Sequence, residues 1–356
     1  MSIKNFTIKS FIFASLALFF ISCSDNEEET NGFDTSIVGG YVLNSGSWGQ
    51  NNSTLSYYDT DNATLTSSVF ETQNDGLNLG DTGEDILIYG NKMYISVSTS
   101  GIIYITDKTG KEISSIIYNP NGTALNPRHF ASSGGYVYAS YYGGYVARID
   151  TTTNAIDKQV AVGSYPEEIA VSGENLYVTN SRTDSTISVI DLTTFTKTED
   201  ITVVLNPTVI RADGNGNLFV ISMGNYGTIL NTLQRIYSDN TVETIGNGTL
   251  IALNPAKTKL YNIYAQYGAS NIYYTVYDIS SKSIETSPFV SSTTASGFAA
   301  DPYSISVNPK DGNVFIGVSD YSSESSMYIV DPSTGDLASS FTTGGINPVG
   351  IYFLSE

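Results

Sequence analysis

Arg128 and His129 are consecutive, directly after Pro127, and His129 is the only histidine in the chain. Paired acids stand at comparable points in Glu84-Asp85 and Glu167-Glu168. Three chemistries are open to this set. His129 can act as a general base while Arg128 steadies an oxyanion. The pair can instead donate hydrogen bonds to ligand amides or a phosphate. Or Arg128 simply pairs with Glu84 or Glu167. A second group is aromatic and amide-bearing: Trp48, Tyr141, Tyr142, Arg182, Asn225, Tyr226, Gln266, Tyr267, Tyr303 and Tyr321. Rings beside amides and hydroxyls suit a large, flat, partly apolar ligand, although single tyrosines also pack as core. No Ser/His/Asp triad can be named from spacing. Asp59-Thr60-Asp61-Asn62 lacks the Gly and Glu of a calcium loop and reads as a hairpin turn.

Composition narrows the classes. The 356 residues carry 16 Lys+Arg against 35 Asp+Glu, a formal charge of −19, with 26 Tyr, 32 Gly and one Cys. A single Cys rules out a disulfide framework, and with a single His it rules out the usual zinc clusters. The acid excess argues against a nucleic-acid partner, which needs clustered Lys and Arg. What remains is a polar, Tyr-rich β protein.

The first residues read as an address. Lys4 and Lys9 precede an apolar run, Phe11–Ile21, then Ser22 and Cys23. The run is short of the ~20 apolar residues a bilayer span needs. Phe20-Ile21-Ser22-Cys23 resembles the lipobox of bacterial lipoproteins, which implies a signal peptide over 1–22 and lipidation of Cys23. Residues 23–36 read as an acidic flexible tether, and their Asp25-Asn26-Glu27-Glu28-Glu29 run resembles surface-export tags. Losing Lys4 and Lys9 leaves 14 − 35 = −21 on the mature chain.

The elements that must position the candidate residues repeat. Pro or Gly, two variable residues and an apolar anchor recur seven times, with anchors Ile86, Phe130, Ile169, Ile210, Ile251, Ile305 and Ile351. The steps are 44, 39, 41, 41, 54 and 46 residues. A second motif follows, as in Asn175-Leu176-Tyr177-Val178-Thr179-Asn180, and a third, as in Ile187-Ser188-Val189-Ile190-Asp191, ends on an Asp that opens a turn. Short β-branched and aromatic runs with regular punctuation indicate strands, and no sustained helical stripe follows the signal.

Four strands per repeat, seven times, predict an all-β, seven-bladed propeller over residues 37–356. The first repeat starts at its second strand, Gly40–Asn44, and the chain ends on an inner strand at Pro348. The C-terminal strand should therefore complete the N-terminal blade and leave no open sheet edge. In such a ring the loops after the second strands share one face with the strand-opening positions.

Asn175–Asn180 with Ile187–Asp191 resembles the YVTN-type propeller repeat. Gly40–Gly49, Leu79–Ile86, Asn126-Pro127-Arg128 and Gly224-Asn225-Tyr226 resemble surface lipoproteins that capture cobalamin, the BtuG type. That resemblance implies a non-enzymatic, high-affinity corrinoid binder with no metal or cofactor of its own, touching the membrane through its lipid only. It also implies a TonB-dependent outer-membrane transporter as partner. The expected ligand face comprises Trp48, Asp85, Arg128, His129, Tyr141, Tyr142, Glu167, Arg182, Asn225, Tyr226, Gln266, Tyr267, Tyr303 and Tyr321. Pro127-Arg128-His129 also resembles a motif of lactonase-type propellers, but Tyr138-Ala139-Ser140-Tyr141 lacks the acid those enzymes carry on the next strand. A glycan- or protein-binding module would use the aromatic loops equally well.

Overall fold

The computed structural model describes residues 34, 36–119, 125–268 and 270–355. The chain divides into Met1–Thr30 and Asn31–Glu356. The expected signal peptide, Cys23 and nearly all of the tether lie outside the described residues. Among the described residues no helix is long and apolar enough to cross a membrane.

Seven four-stranded antiparallel sheets form the blades of a seven-bladed β-propeller. Their inner strands are Pro348–Ser355, Gly83–Tyr89, Pro127–Ser133, Pro166–Ser172, Pro207–Ala212, Leu250–Leu253 and Asp301–Val307, for blades one to seven. Each inner strand contacts the inner strand of the next blade, and the last contacts the first, so the ring closes around an axis. Closure follows the sequence expectation. Pro348–Ser355 pairs with Ile37–Asn44, matching Val42 to Ile351 and Tyr41 to Tyr352.

The core lies between blades. Second and third strands such as Lys92–Val97 and Ile102–Asp107 are buried almost throughout. Their two faces pack on two neighbouring blades, so they read as apolar runs instead of alternating ones. Tyr94, Ile103 and Ile105 of blade two, for example, pack with Phe130, Val137 and Ile149 of blade three. Outer strands such as Thr196–Thr202 are mostly exposed and polar. Six of the seven third strands end on an Asp that caps the turn, all but Thr232–Ile236: Asp107, Asp191 and Asp331, for example, accept from the backbone N–H groups of Thr109, Thr194 and Ser333. Asp59 accepts from Asp61 and Asn62, which makes that segment the expected hairpin turn.

Two one-turn helices, Val69–Gln73 and Ser292–Ser296, were not visible in the periodicity because one turn cannot establish a stripe. Phe70 and Phe289, in or just before them, are fully buried. The second helix lies within the long 54-residue step between Ile251 and Ile305.

All the inner strands except Leu250–Leu253 share a defect that decides where the site lies. Register shifts fall at Gly83/Asp85, Pro127/Phe130, Pro166/Ile169, Pro207/Val209 and Pro302/Ser304. A bulge re-aims side chains. Here both residues of each pair, Glu84-Asp85, Arg128-His129 and Glu167-Glu168, are half-buried next to the axis.

Candidate functional site

The opening of each inner strand pairs with the end of its second strand, as Pro127 with Tyr141 and Pro166 with Asn180. The loops after the second strands therefore share one face with the bulged pairs. On that face Trp48, Tyr226, Tyr267 and Tyr321 are between 59% and 82% exposed. Large rings held this far into solvent are not packing between blades.

Tyr142, Arg182, Asn225 and Tyr226 come together around one pocket of about 700 Å³, with Glu167 and Asn206 also in its wall. The Arg182 guanidinium lies 3.8 Å from the Tyr165 ring centroid and 5.4 Å from that of Tyr142. Tyr142 and Tyr165 meet edge to face at 5.4 Å. Arg182, Tyr226 and Tyr321 all hold left-handed backbone, with φ of 62°, 55° and 64°. Such conformations cost about 1 kcal/mol or more each for residues with a Cβ. Hydrogen bonds hold two of these turns: Arg182 N–H donates to Asn206 Oδ1, and Asn225 Oδ1 accepts from Gly227 and Ile229.

Trp48, Gln266, Tyr267 and Tyr321 stand outside this pocket. Gln266 uses its Oε1 to accept the Asn231 N–H at 3.0 Å, and Tyr303 packs edge-on against Tyr321 at 5.7 Å. Tyr141 does not belong to the face. It is fully buried in the core between blades two and three, 5.0 Å from Tyr118, and its hydroxyl has no partner among the described residues. As the last residue of its strand it turns inward, while Tyr142 passes onto the loop.

Of the inner-strand residues expected on this face, Glu167 walls the pocket, Arg128 joins it to Glu84, and Asp85 and His129 line a separate axial cavity. Arg128 Nη1 lies 2.5 Å from Glu84 Oε2, and its Nε donates to Glu167 Oε2 at 2.8 Å. Its guanidinium carbon sits 4.4 Å from the Tyr142 ring centroid. Tyr142 donates its hydroxyl to the other oxygen of Glu167. Hydroxyls fasten the bulges from behind: Ser96 donates to Arg128 O and Ser140 to Glu167 O, each at 2.6 Å.

One layer further in, His129 faces Asp85 at 3.7 Å from Nδ1 and Glu84 at 3.9 Å from Nε2. Asp85 also accepts the Phe130 N–H at 2.8 Å. Burial alone would lower the imidazole pKa, but Asp85, Glu168 and Glu84 outweigh it and raise it to about 9. A protonated ring can donate but has no lone pair with which to take a proton. Burial pushes Glu84 above the usual carboxylate range, against the pull of Arg128.

Sequence reasoning missed Arg211, Tyr352 and Tyr165. Arg211 pairs with Glu168, which also accepts the Ile210 N–H at 2.9 Å. Arg211 and Tyr352 each directly follow an inner-strand anchor, and that position was the available signal. Tyr165 precedes the inner-strand Pro166, in the connection between two blades and not in a loop after a second strand, where the expected aromatics stand. Glu84, His129 and Glu167 each offer an atom within 4.8 Å of the others, as a cation site would, but Arg128 already bridges the two carboxylates.

A family model described as a domain of unknown function, DUF5074, matches residues 38–347. No curated protein matches the chain. Among solved structures, a quinonprotein alcohol dehydrogenase-like protein from Bacteroides thetaiotaomicron is similar at TM-score 0.63 and 16% identity, covering 90% of this chain and 79% of its own. Hydrazine synthase from Kuenenia stuttgartiensis gives TM-score 0.55 at 17% identity, over 74% and 83% of the two chains. The WD40 domain of Neurospora crassa Pan2 gives 0.58 at 12%, over 80% and 83%. At such identities these likenesses establish the propeller fold alone.

Proposed function

The chain belongs to the DUF5074 family, a domain of unknown function, and we propose that this member is a binding protein for a broad, flat ligand of the corrinoid class. One observation carries the reading: a single face gathers four exposed aromatic rings beside a 700 Å³ pocket walled by Tyr142, Arg182, Asn225 and Tyr226. Rings cover the apolar face of a macrocycle, while Asn225, Asn206 and Arg182 suit a fringe of amides. The resemblance of Gly40–Gly49 and Leu79–Ile86 to cobalamin-capturing lipoproteins points to the same ligand. On this reading Cys23 anchors the mature chain to the outer membrane, facing outward, and a TonB-dependent transporter receives the cargo.

The site also weighs against hydrolysis. His129 is the residue a lactonase-type mechanism would need as base, and its proton is held by the surrounding acids. Arg128 is committed to Glu84 and Glu167.

Trp48 is the only tryptophan and stands on the proposed face, so its fluorescence reports on occupancy. Titration with cyanocobalamin should quench it saturably at submicromolar ligand. No binding at micromolar cyanocobalamin sinks the reading, and binding of oligosaccharides instead would move it to glycans.

A further inference from the structure

The axial channel encloses a second cavity, of about 290 Å³, that shares no lining residue with the outer pocket. Its wall is divided by blade. Glu84 and Asp85 of blade two, His129 of blade three and Glu168 of blade four supply polar groups, and Arg211 adds a cation from blade five. The matching positions in blades five, six, seven and one are Thr208-Val209, Thr249-Leu250, Tyr303-Ser304 and Val349-Gly350. One side of the cavity therefore presents Glu84, Asp85, His129 and Glu168, and the other presents Val209, Leu250 and Val349 interspersed with Arg211, Tyr303 and Tyr352.

Three observations define what fits. The space equals roughly ten waters at about 30 Å³ each, more than a bare ion fills. Four acids, Glu84, Asp85, Glu167 and Glu168, meet three basic side chains, Arg128, His129 and Arg211, and Glu84 and Glu167 share Arg128, so 4 − 3 leaves one acid without a basic partner of its own. Glu84 Oε1 and His129 Nε2 stand 3.9 Å apart, beyond direct hydrogen bonding. A group that donates to the carboxylate and accepts from the ring would bridge them, and a hydroxyl does both.

We propose that this cavity is a second ligand site, and that its occupant is a small organic cation bearing a hydroxyl, of the amino-alcohol class. The hydroxyl bridges Glu84 and His129, the ammonium supplies the missing charge, and the carbon skeleton lies along Val209, Leu250 and Val349. An anion is disfavoured because His129 and Arg211 already face Asp85 and Glu168. The site does not depend on what the outer face binds.

His129 makes the test specific, since labelled histidine gives one imidazole signal from the whole protein. Choline and ethanolamine, titrated to millimolar concentration into the labelled protein, should shift that signal saturably. The uncharged carbon isostere of choline, 3,3-dimethylbutan-1-ol, should leave it unmoved. Glu84→Gln should weaken the choline response roughly tenfold or more. Because that change also touches Arg128, Gly350→Val provides a second arm. A Cβ at Gly350 meets the Ser306 hydroxyl at 3.3 Å and the Tyr352 ring at 3.6 Å, so that hydroxyl must give by a few tenths of an ångström, while none of its three nearest neighbours is an ion-pair atom. The variant should abolish the choline response, and a cooperative unfolding transition shows that the fold survives. The proposal is overturned if both amino alcohols leave the His129 signal still, or if the neutral isostere acts as strongly. A response to calcium, zinc, glycine or phosphate without one to amino alcohols overturns it equally, in favour of that other class.

Discussion

Arg128 lies over the ring of Tyr142, its guanidinium carbon 4.4 Å from the ring centroid, and the two share the carboxylate of Glu167. One oxygen of Glu167 takes Arg128 and the other takes the tyrosine hydroxyl. The axial ion pairs therefore set the position of a ring that walls the outer pocket, and Arg182 rests on that ring in turn.

Removing the cation should be costly. In Arg128→Met, Glu84 and Glu167 face each other with no charge between them, and breaking a buried pair in this way costs about 3 kcal/mol or more. Urea unfolding measures it. A loss below about 1 kcal/mol, the range of surface pairs, would mean that the network contributes little to the fold.

His129 makes stability depend on pH in a defined window. Its folded pKa of about 9 exceeds the ordinary 6.5, so the folded ring binds its proton more tightly than the unfolded one. Its contribution is whole below pH 6.5 and is lost as pH climbs towards 9. Wild-type stability should fall across that interval, and His129→Gln should flatten the decline. An unchanged slope in the variant would refute the assignment.

The exposed rings separate binding from folding. Alanine at Trp48, Tyr226, Tyr267 or Tyr321 removes a largely solvated side chain, so unfolding free energy should move by about 0.5 kcal/mol or less. Corrinoid affinity should drop most for Tyr226, by roughly tenfold or more, because it alone of the four lines the pocket. Equal affinity in Tyr226→Ala and wild type, measured by calorimetry, would place the ligand elsewhere.

Tyr141 gives a test with the opposite sign. Its hydroxyl is buried without a partner among the described residues, and such a group costs about 1–3 kcal/mol. Tyr141→Phe should therefore equal or exceed wild-type stability, whereas Tyr141→Ala should lose about 3–5 kcal/mol through the cavity it leaves. Destabilisation by Phe on thermal melting would show that the hydroxyl has a partner in solution.

The fold was legible because every repeat spells the same instruction. Six of the seven apolar anchors, from Ile86 to Ile351, are buried, and each opens or sits within an inner strand. The face was legible for a related reason, since loop position follows from strand order. The division of the site was not. Strict alternation would send Glu84 and Asp85 to opposite sides, and only the bulge brings both towards the axis. Tyr141 and Tyr142 were indistinguishable by composition, and one residue of difference at a strand end put one in the core and the other in the pocket. Arg211 escaped notice because a lone charge after an apolar anchor resembles any solvated strand residue.

Closure of the first blade by Pro348–Ser355 has a consequence for biosynthesis. Asn347 Nδ2 donates to Gly46 O across 301 residues of sequence, and the strand after it seals the ring. On the ribosome, Ile37–Asn44 must wait with one edge bare until Pro348–Ser355 has emerged, some three hundred residues later. During that interval the nascent protein is a sheet open to any passing strand, and its survival rests on whatever guards that edge until the last inner strand arrives.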